Sequence, residues 1–97
     1  MKFVLHPDAA EEIKQASAFY KQQQAGLEKR FIETLEESID KVRAHPYRYR
    51  QIEADVRKYR LLHFPYALIY QAKAEHLEII AVMHLRKQPD YWQTRLG

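Results

Sequence analysis

Two stretches in the first half of the chain repeat apolar residues at the spacing of a helix. Each stretch places an apolar side chain at every third or fourth position, with charged or amide side chains between them, which is typical of a helix that packs one face against a core. The apolar positions are Ala9, Ile13, Ala16 and Tyr20 in the first stretch and Leu27, Phe31, Leu35, Ile39 and Val42 in the second.

Signals for helix ends frame both stretches. Pro7 and Asp8 suit a first helical turn, because proline lacks the N–H that this turn leaves unpaired and aspartate places negative charge there. Three glutamines at 22–24 and Gly26 separate the stretches, and Pro46 ends the second. We therefore predict two helices joined as an antiparallel hairpin.

Outside this hairpin the apolar residues cluster in shorter runs. Residues 2–5 form one run ahead of the first helix. Residues 56–64, 66–72 and 76–84 are rich in β-branched and aromatic side chains and end at turn signals, which is typical of strands. The run 66–72 is apolar on both alternating sides, so we expect it to be the central strand. Residues 89–96 fit either one or two helical turns or a loose tail.

These elements predict an α+β fold. An N-terminal strand, the helical hairpin and an antiparallel three-stranded meander would form one sheet with the helices on one face, and the other face is expected to be open. Because a chain of 97 residues does not divide its core, residues 1–97 are expected to form a single domain.

The composition excludes several classes of protein. The chain has no cysteine, which excludes disulfides and thiolate metal sites and favours a cytoplasmic location. With two glycines in total it has no phosphate-binding loop or dinucleotide fingerprint, so no cofactor is expected. No apolar run has the length of a signal sequence or a membrane span. His76 and His84 share strand parity but lie about 26 Å apart, so no metal site is expected.

Positive charge is concentrated in the second half of the chain. The net charge is +3, yet residues 1–45 carry seven Lys/Arg against eight Asp/Glu, whereas residues 46–97 carry nine against five. This excess is compatible with a nucleic-acid backbone, an acidic protein partner or simply a soluble domain.

Three segments of the second half carry a family resemblance. They are VRKYR at 56–60, FPYALIY at 64–70 and AVMHLRKQPDYW at 81–92. With the order of the elements, they resemble the RelE/ParE superfamily of bacterial toxins from type II toxin–antitoxin systems, over the whole chain. The resemblance implies a small toxin that a co-expressed antitoxin holds inactive and that stops growth when freed.

Two mechanisms occur on this fold. RelE-like members cleave mRNA on the ribosome, and ParE-like members are described as poisons of DNA gyrase. RNA cleavage requires a base, an acid and cations that hold the phosphate charge. Carried over by resemblance, this catalytic set falls on Lys58, Arg60 and Tyr91, with Arg86 included if the register slips by one residue.

Two arginines of the RelE-like pattern are missing. Their positions fall on Ala67 and Leu85. Each hydrogen bond to a developing oxyanion contributes about 3 to 4 kcal/mol to transition-state stabilisation, so the loss of two favours the ParE-like branch. Whether the chain is an enzyme stays open at this point.

A gyrase poison needs only a surface that recognises the enzyme or its cleaved DNA. The candidate residues are Arg57, Lys58, Arg60, His84, Arg86, Lys87, Tyr91, Trp92 and Arg95. The plainer interpretations are that the strand cations form a solvated face and that Tyr91 and Trp92 pack the tail onto the sheet. We expect charge reversal at Arg57 and Arg60 to reduce toxicity more than folding.

The resemblance also implies an antitoxin partner in a toxin–antitoxin hetero-oligomer. Such a partner segment would fold on binding, as an amphipathic helix or an added strand over the hairpin and the open sheet face. Three functional hypotheses stay open: a gyrase poison, a ribosome-dependent mRNA endonuclease, and a non-toxic relic that only binds antitoxin.

Overall fold

The computed structural model describes residues 2–96, in which both stretches predicted as helices are helical. The first elements are β1 (Lys2–Leu5), α1 (Pro7–Gln23) and α2 (Leu27–Ala44). At the start of α1, His6 Nδ1 accepts a hydrogen bond from the Asp8 backbone N–H at 3.0 Å, which satisfies one donor that a first helical turn leaves unpaired. Gly26 precedes α2 with a φ of 93°, a left-handed conformation that glycine adopts without strain.

Four strands follow the helices and form one five-stranded sheet with β1. They are β2 (Arg50–Glu53), β3 (Val56–Arg60), β4 (Tyr66–Ala72) and β5 (His76–His84), and a 3-10 helix covers Gln93–Arg95. The order across the sheet is β1-β5-β4-β3-β2. β1 is parallel to β5, and the other neighbours are antiparallel. The predicted α+β fold is confirmed, and β4 is central as its two apolar sides predict.

The meander has four strands rather than the predicted three. The prediction misses β2 because Ile52 is the only apolar residue in the strand, so no alternating pattern marks it. A turn in which Asp55 has a left-handed φ of 61° connects β2 to β3. β3 also ends at Arg60, four residues earlier than predicted, because His63 turns the chain with a φ of 67°.

One extra residue in β5 reverses the side on which its later side chains lie. Tyr70 pairs with Ile79 and Ile69 pairs with Ala81, which leaves Ile80 as a bulge without a partner on β4. The expectation that His76 and His84 share strand parity is therefore wrong, since it assumed unbroken alternation.

Both sides of the sheet are covered, which corrects the expectation of an open face. The helices pack on one side over a cluster that includes Phe31 and Tyr70. On the opposite side Trp92, which is 2% exposed, packs into a second cluster with Ala67, Ile69 and other residues of β3 to β5. We call residues 89–96 the strap and this side of the sheet the strap side.

Candidate functional site

The three basic residues of β3 lie on opposite sides of the sheet. Arg57 pairs with Tyr70, which lies under the helices, whereas Lys58 and Arg60 pair with two residues of the second cluster. Directly paired residues of antiparallel strands share a side. Lys58 and Arg60 therefore lie on the strap side, and Arg57 lies on the helix side.

Arg57 is bonded to the segment that precedes β2. Its Nη1 donates to the backbone carbonyls of Tyr47 at 3.2 Å and Tyr49 at 2.9 Å. Its guanidinium also lies 5.5 Å from the ring centroid of Tyr47, within cation–π range. Arg57 thus holds this segment against the sheet, and its contact with a target stays a prediction.

Arg50 joins Lys58 and Arg60 on the strap side, although sequence patterns do not single it out. It pairs directly with Lys58, and both residues line a cavity of about 300 Å³ beside Trp92. Only the register of β2 reveals this neighbour, and the sequence carries no pattern for that strand.

A carboxylate on α1 joins the strap to the edge of β5. Glu12 accepts two hydrogen bonds from Arg95, from Nη1 to Oε1 and from Nη2 to Oε2, both at 2.9 Å. Oε1 also accepts from the Val82 backbone N–H at 3.0 Å, and Oε2 accepts from the Tyr91 hydroxyl at 2.5 Å. Arg95 Nη1 donates in addition to the Ile80 carbonyl at 3.0 Å. We call Glu12, Tyr91 and Arg95 the clamp.

The clamp supplies hydrogen-bond partners to β5 beyond the end of β1. β1 pairs with β5 only as far as Ile79, so beyond that residue the edge of β5 that faces away from β4 has no strand beside it. Buried backbone groups require a partner. The carboxylate of Glu12 and the guanidinium of Arg95 supply one to the Val82 N–H and one to the Ile80 carbonyl.

The clamp also fixes the protonation of Tyr91. Burial raises the pKa of the Tyr91 hydroxyl, and its hydrogen bond to the Glu12 carboxylate raises it further. A general acid or base works best when its pKa lies near the operating pH. This environment moves the pKa away from neutrality and leaves the hydroxyl donating to Glu12.

His84 and Lys87 line a groove of about 630 Å³ between α1 and the end of the sheet. The His84 ring meets the Tyr66 ring edge-on at 5.0 Å, and its Nδ1 accepts from the Arg86 backbone N–H at 3.0 Å. Lys87 Nζ lies 5.5 Å from the Tyr91 ring centroid. The groove lining is mainly apolar and includes these two basic side chains.

The residues that a nuclease would need do not share one cavity. Lys58 lines the cavity beside Trp92, Arg60 lines a third at the β3–β4 turn, and Tyr91 lines the groove under α1. Arg86 is exposed in the turn after β5.

Packed apolar residues occupy the two positions of the missing arginines. Ala67 is fully buried in the second cluster, and Leu85 packs against that cluster. Trp92 covers the same cluster and donates from its indole Nε1 to the Pro89 carbonyl at 2.7 Å. Trp92 therefore packs the tail onto the sheet, as the plainer of the two interpretations expects.

Residues 2–96 contain no group of three or more His, Asp or Glu side chains placed to hold a metal ion. Over the same part of the chain, no helix is long and apolar enough to cross a membrane.

A family model described as the ParE toxin of the type II toxin–antitoxin system parDE matches residues 3–89. The chain belongs to the ParE toxin family. A solved structure described as a chromosomal ParDE toxin–antitoxin system from P. aeruginosa has the same fold, with a TM-score of 0.75 and 15% sequence identity over 87% of this chain and 95% of that chain. No curated protein matches the sequence.

Membership of the ParE toxin family has two consequences for the site. The toxin of a type II toxin–antitoxin system implies an antitoxin as its partner. The family match ends at residue 89, where the strap begins, so Tyr91, Trp92 and Arg95 lie beyond the segment that the family model describes.

Proposed function

We propose that this ParE-family chain stops growth in the cytoplasm by binding DNA gyrase, and that its antitoxin neutralises it. The observation that supports binding over catalysis is the packing of Ala67 and Leu85 at the positions where the RelE-like pattern has arginines. Because Ala67 is fully buried, an arginine introduced there would have to displace neighbours in the second cluster. At these two positions the strap side has packed apolar side chains and lacks the cations that the catalytic pattern requires.

The groove under α1 is our candidate for antitoxin contact. Its apolar lining includes Phe19, which is 53% exposed, and Tyr20 and Tyr66. Lys87 in the lining would pair with a carboxylate of the partner. An amphipathic segment that folds on binding would bury these rings and neutralise the lysine.

The alternative function is a ribosome-dependent mRNA endonuclease. The observation that favours it is that Lys58 and Arg60 share the strap side, as that mechanism requires. Against it, Tyr91 directs its hydroxyl to Glu12 and lines a different cavity. A non-toxic chain that only binds antitoxin would leave growth unchanged in the experiment below.

The decisive experiment is inducible expression without antitoxin, with pulse-labelled DNA and protein synthesis followed over the first minutes. The proposal expects DNA synthesis to fall first, together with a DNA-damage response. Early loss of protein synthesis would contradict it and support the endonuclease.

A conservative variant sharpens this experiment. Tyr91→Phe keeps the ring and removes only the hydroxyl, so a gyrase poison should keep its toxicity whereas an endonuclease that uses this hydroxyl should lose it. Tyr70→Phe is the matched control, because it removes a buried hydroxyl far from the strap. Both variants are compared only after thermal unfolding shows that they remain folded at the growth temperature.

A further inference from the structure

Three cations are neighbours on the strap side of β2 and β3. Arg50 pairs directly with Lys58, and Arg60 follows Lys58 by two residues on the same side of β3. Paired Cα atoms of antiparallel strands lie about 5 Å apart, and alternate residues of a strand lie about 6.6 Å apart. We call Arg50, Lys58 and Arg60 the cationic row.

The side chains of residues 2–96 do not neutralise the row. Within residues 2–96, none of its three side chains makes an ion pair or a side-chain hydrogen bond. By contrast, Arg57 is bonded to two carbonyls and Arg95 to Glu12. Because like charges directly opposite each other destabilise a sheet, an unneutralised Arg50–Lys58 pair points to an anionic partner.

The carboxylates nearest the row are placed to the side of it. Glu53 and Asp90 line the cavity that Arg50 and Lys58 line, but neither lies within ion-pair distance of the row. Glu53 instead accepts from Gln93 Nε2 at 3.0 Å, which ties the strap to β2. The charges of the row are therefore available to bind an anion, and the bond between Gln93 and Glu53 holds the strap against β2 beside them.

Repeated phosphate is the anion chemistry that fits such a row. Arginine and lysine both bind phosphate oxygens with charge-assisted hydrogen bonds. Duplex DNA carries about one phosphate per 3.4 Å of helix axis on each strand, so a group of cations about 8 Å across can contact two or three of them. Single-stranded nucleic acids are bound by exposed aromatic platforms, whereas Trp92 on this side is 2% exposed.

We propose that the cationic row binds the phosphate backbone of duplex DNA, without reading its sequence. The inference deepens the proposed function, on which it rests for the choice of DNA over an acidic protein, since gyrase works on DNA. The row would contact the DNA that gyrase holds. The groove residues would remain for protein contacts.

The test is a fluorescence anisotropy titration of the full chain with a labelled duplex, repeated at several salt concentrations. Each neutralised phosphate contributes a slope of about −0.9 to the logarithmic salt dependence of binding. Three contacts should therefore weaken binding about 40-fold between about 50 and about 200 mM salt, and two contacts about 12-fold. The single variants Arg50→Gln, Lys58→Gln and Arg60→Gln should each bind more weakly and show the shallower dependence.

Matched controls separate the row from net charge. Arg30→Gln and Lys29→Gln remove the same charges from exposed positions of α2 and should leave binding within about twofold of the parent chain. Glu53→Gln removes a negative charge beside the row, retains an acceptor for Gln93, and should strengthen binding.

Several results would overturn the inference. They are no binding up to about 100 µM at low salt, equal losses in the α2 controls and the row variants, or tighter row-dependent binding to single-stranded RNA or to an acidic protein surface. The titration contains no gyrase, so its failure leaves the growth-arrest experiment standing. A chain that binds duplex DNA but does not halt DNA synthesis would refute the proposed function alone.

Discussion

Arg57 and Arg60 lie on one strand, but of these two side chains only that of Arg57 is hydrogen-bonded within residues 2–96. Replacing Arg57 by Gln removes charge-assisted bonds to the Tyr47 and Tyr49 carbonyls and should lower the free energy of unfolding by about 2 kcal/mol. Arg60→Gln changes an exposed side chain and should stay within about 0.5 kcal/mol. Urea unfolding of the two variants measures both values.

The two positions therefore differ under the expectation that charge reversal at Arg57 and Arg60 reduces toxicity more than folding. Arg57→Glu would place a carboxylate against two carbonyls, so loss of toxicity there would reflect lost structure. Arg60→Glu tests the target surface cleanly. Equal stability of the Arg57 and Arg60 variants would mean that the bonds to the segment before β2 contribute nothing.

Ionisation of Tyr70 should make the free energy of unfolding depend on pH in the alkaline range. Burial raises its pKa to about 12, and its hydroxyl donates to the Pro46 carbonyl at 2.8 Å. A raised pKa in the folded state stabilises it fully below the unfolded value of about 10, and that stabilisation is lost as pH rises toward 12. The stability advantage of the parent chain over Tyr70→Phe should therefore shrink from about pH 10 upward, by at most about 1.4 kcal/mol per pH unit in urea titrations. A constant difference would contradict this.

At the scale of elements, the clamp couples α1, β5 and the strap. The side chains of Arg95 and Glu12 are 12% and 18% exposed, so removing one partner leaves the other poorly solvated. Glu12→Gln and Arg95→Met should each cost about 2 to 3 kcal/mol. The double variant should cost less than the sum, with a coupling of about 2 kcal/mol in a double-mutant cycle.

An ion pair that is exposed provides the control for this cycle. Lys73 and Glu78 lie 3.5 Å apart with 48% and 26% of their side chains exposed, and the same cycle there should give a coupling below about 1 kcal/mol. If the clamp couples no more strongly than this pair, then Arg95 and Glu12 do not hold the strap.

Elements with a strong local pattern are those that the sequence predicts. Both helices follow from their apolar stripes, and β4 follows from apolar residues on both of its sides. β2 and the bulge at Ile80 do not, because each depends on pairing with a neighbouring strand rather than on its own residues. The strap is a similar case, since the partner of Tyr91 and Arg95 is Glu12, about eighty positions earlier.

The site requires the whole molecule to be assembled. Sequence patterns place Lys58 and Arg60 on one side of a strand, and the structure agrees. They do not separate the tail candidates into the buried Trp92, the clamped Arg95 and the groove residue Lys87, because burial of the tail depends on a sheet face formed from three strands. Arg50 enters the site only through the register of β2.

The strap also determines whether the sheet has an exposed apolar side. A chain ending at Gln88 would uncover buried residues of the second cluster such as Val56, Ile69 and Met83. Uncovered apolar patches of this kind drive association. We expect the shortened chain to bind a hydrophobic dye more strongly and to sediment as larger species at higher concentration, while its circular dichroism keeps the helical signal. The full chain with Gln93→Ala, which loses only the bond to Glu53, should stay unchanged.

The shortened chain also tests what Glu12 does. Without Arg95 and Tyr91, the Glu12 carboxylate keeps only the Val82 N–H among its bonds, and an amide oxygen accepts that bond equally well. The cost of Glu12→Gln should therefore fall from about 2 to 3 kcal/mol in the full chain to below about 1 kcal/mol in the shortened one, measured by urea unfolding. If Glu12→Gln lowers the free energy of unfolding equally in both chains, then Glu12 stabilises α1 and β5 directly. In that case the ion pair with Arg95 does not hold the strap on the sheet.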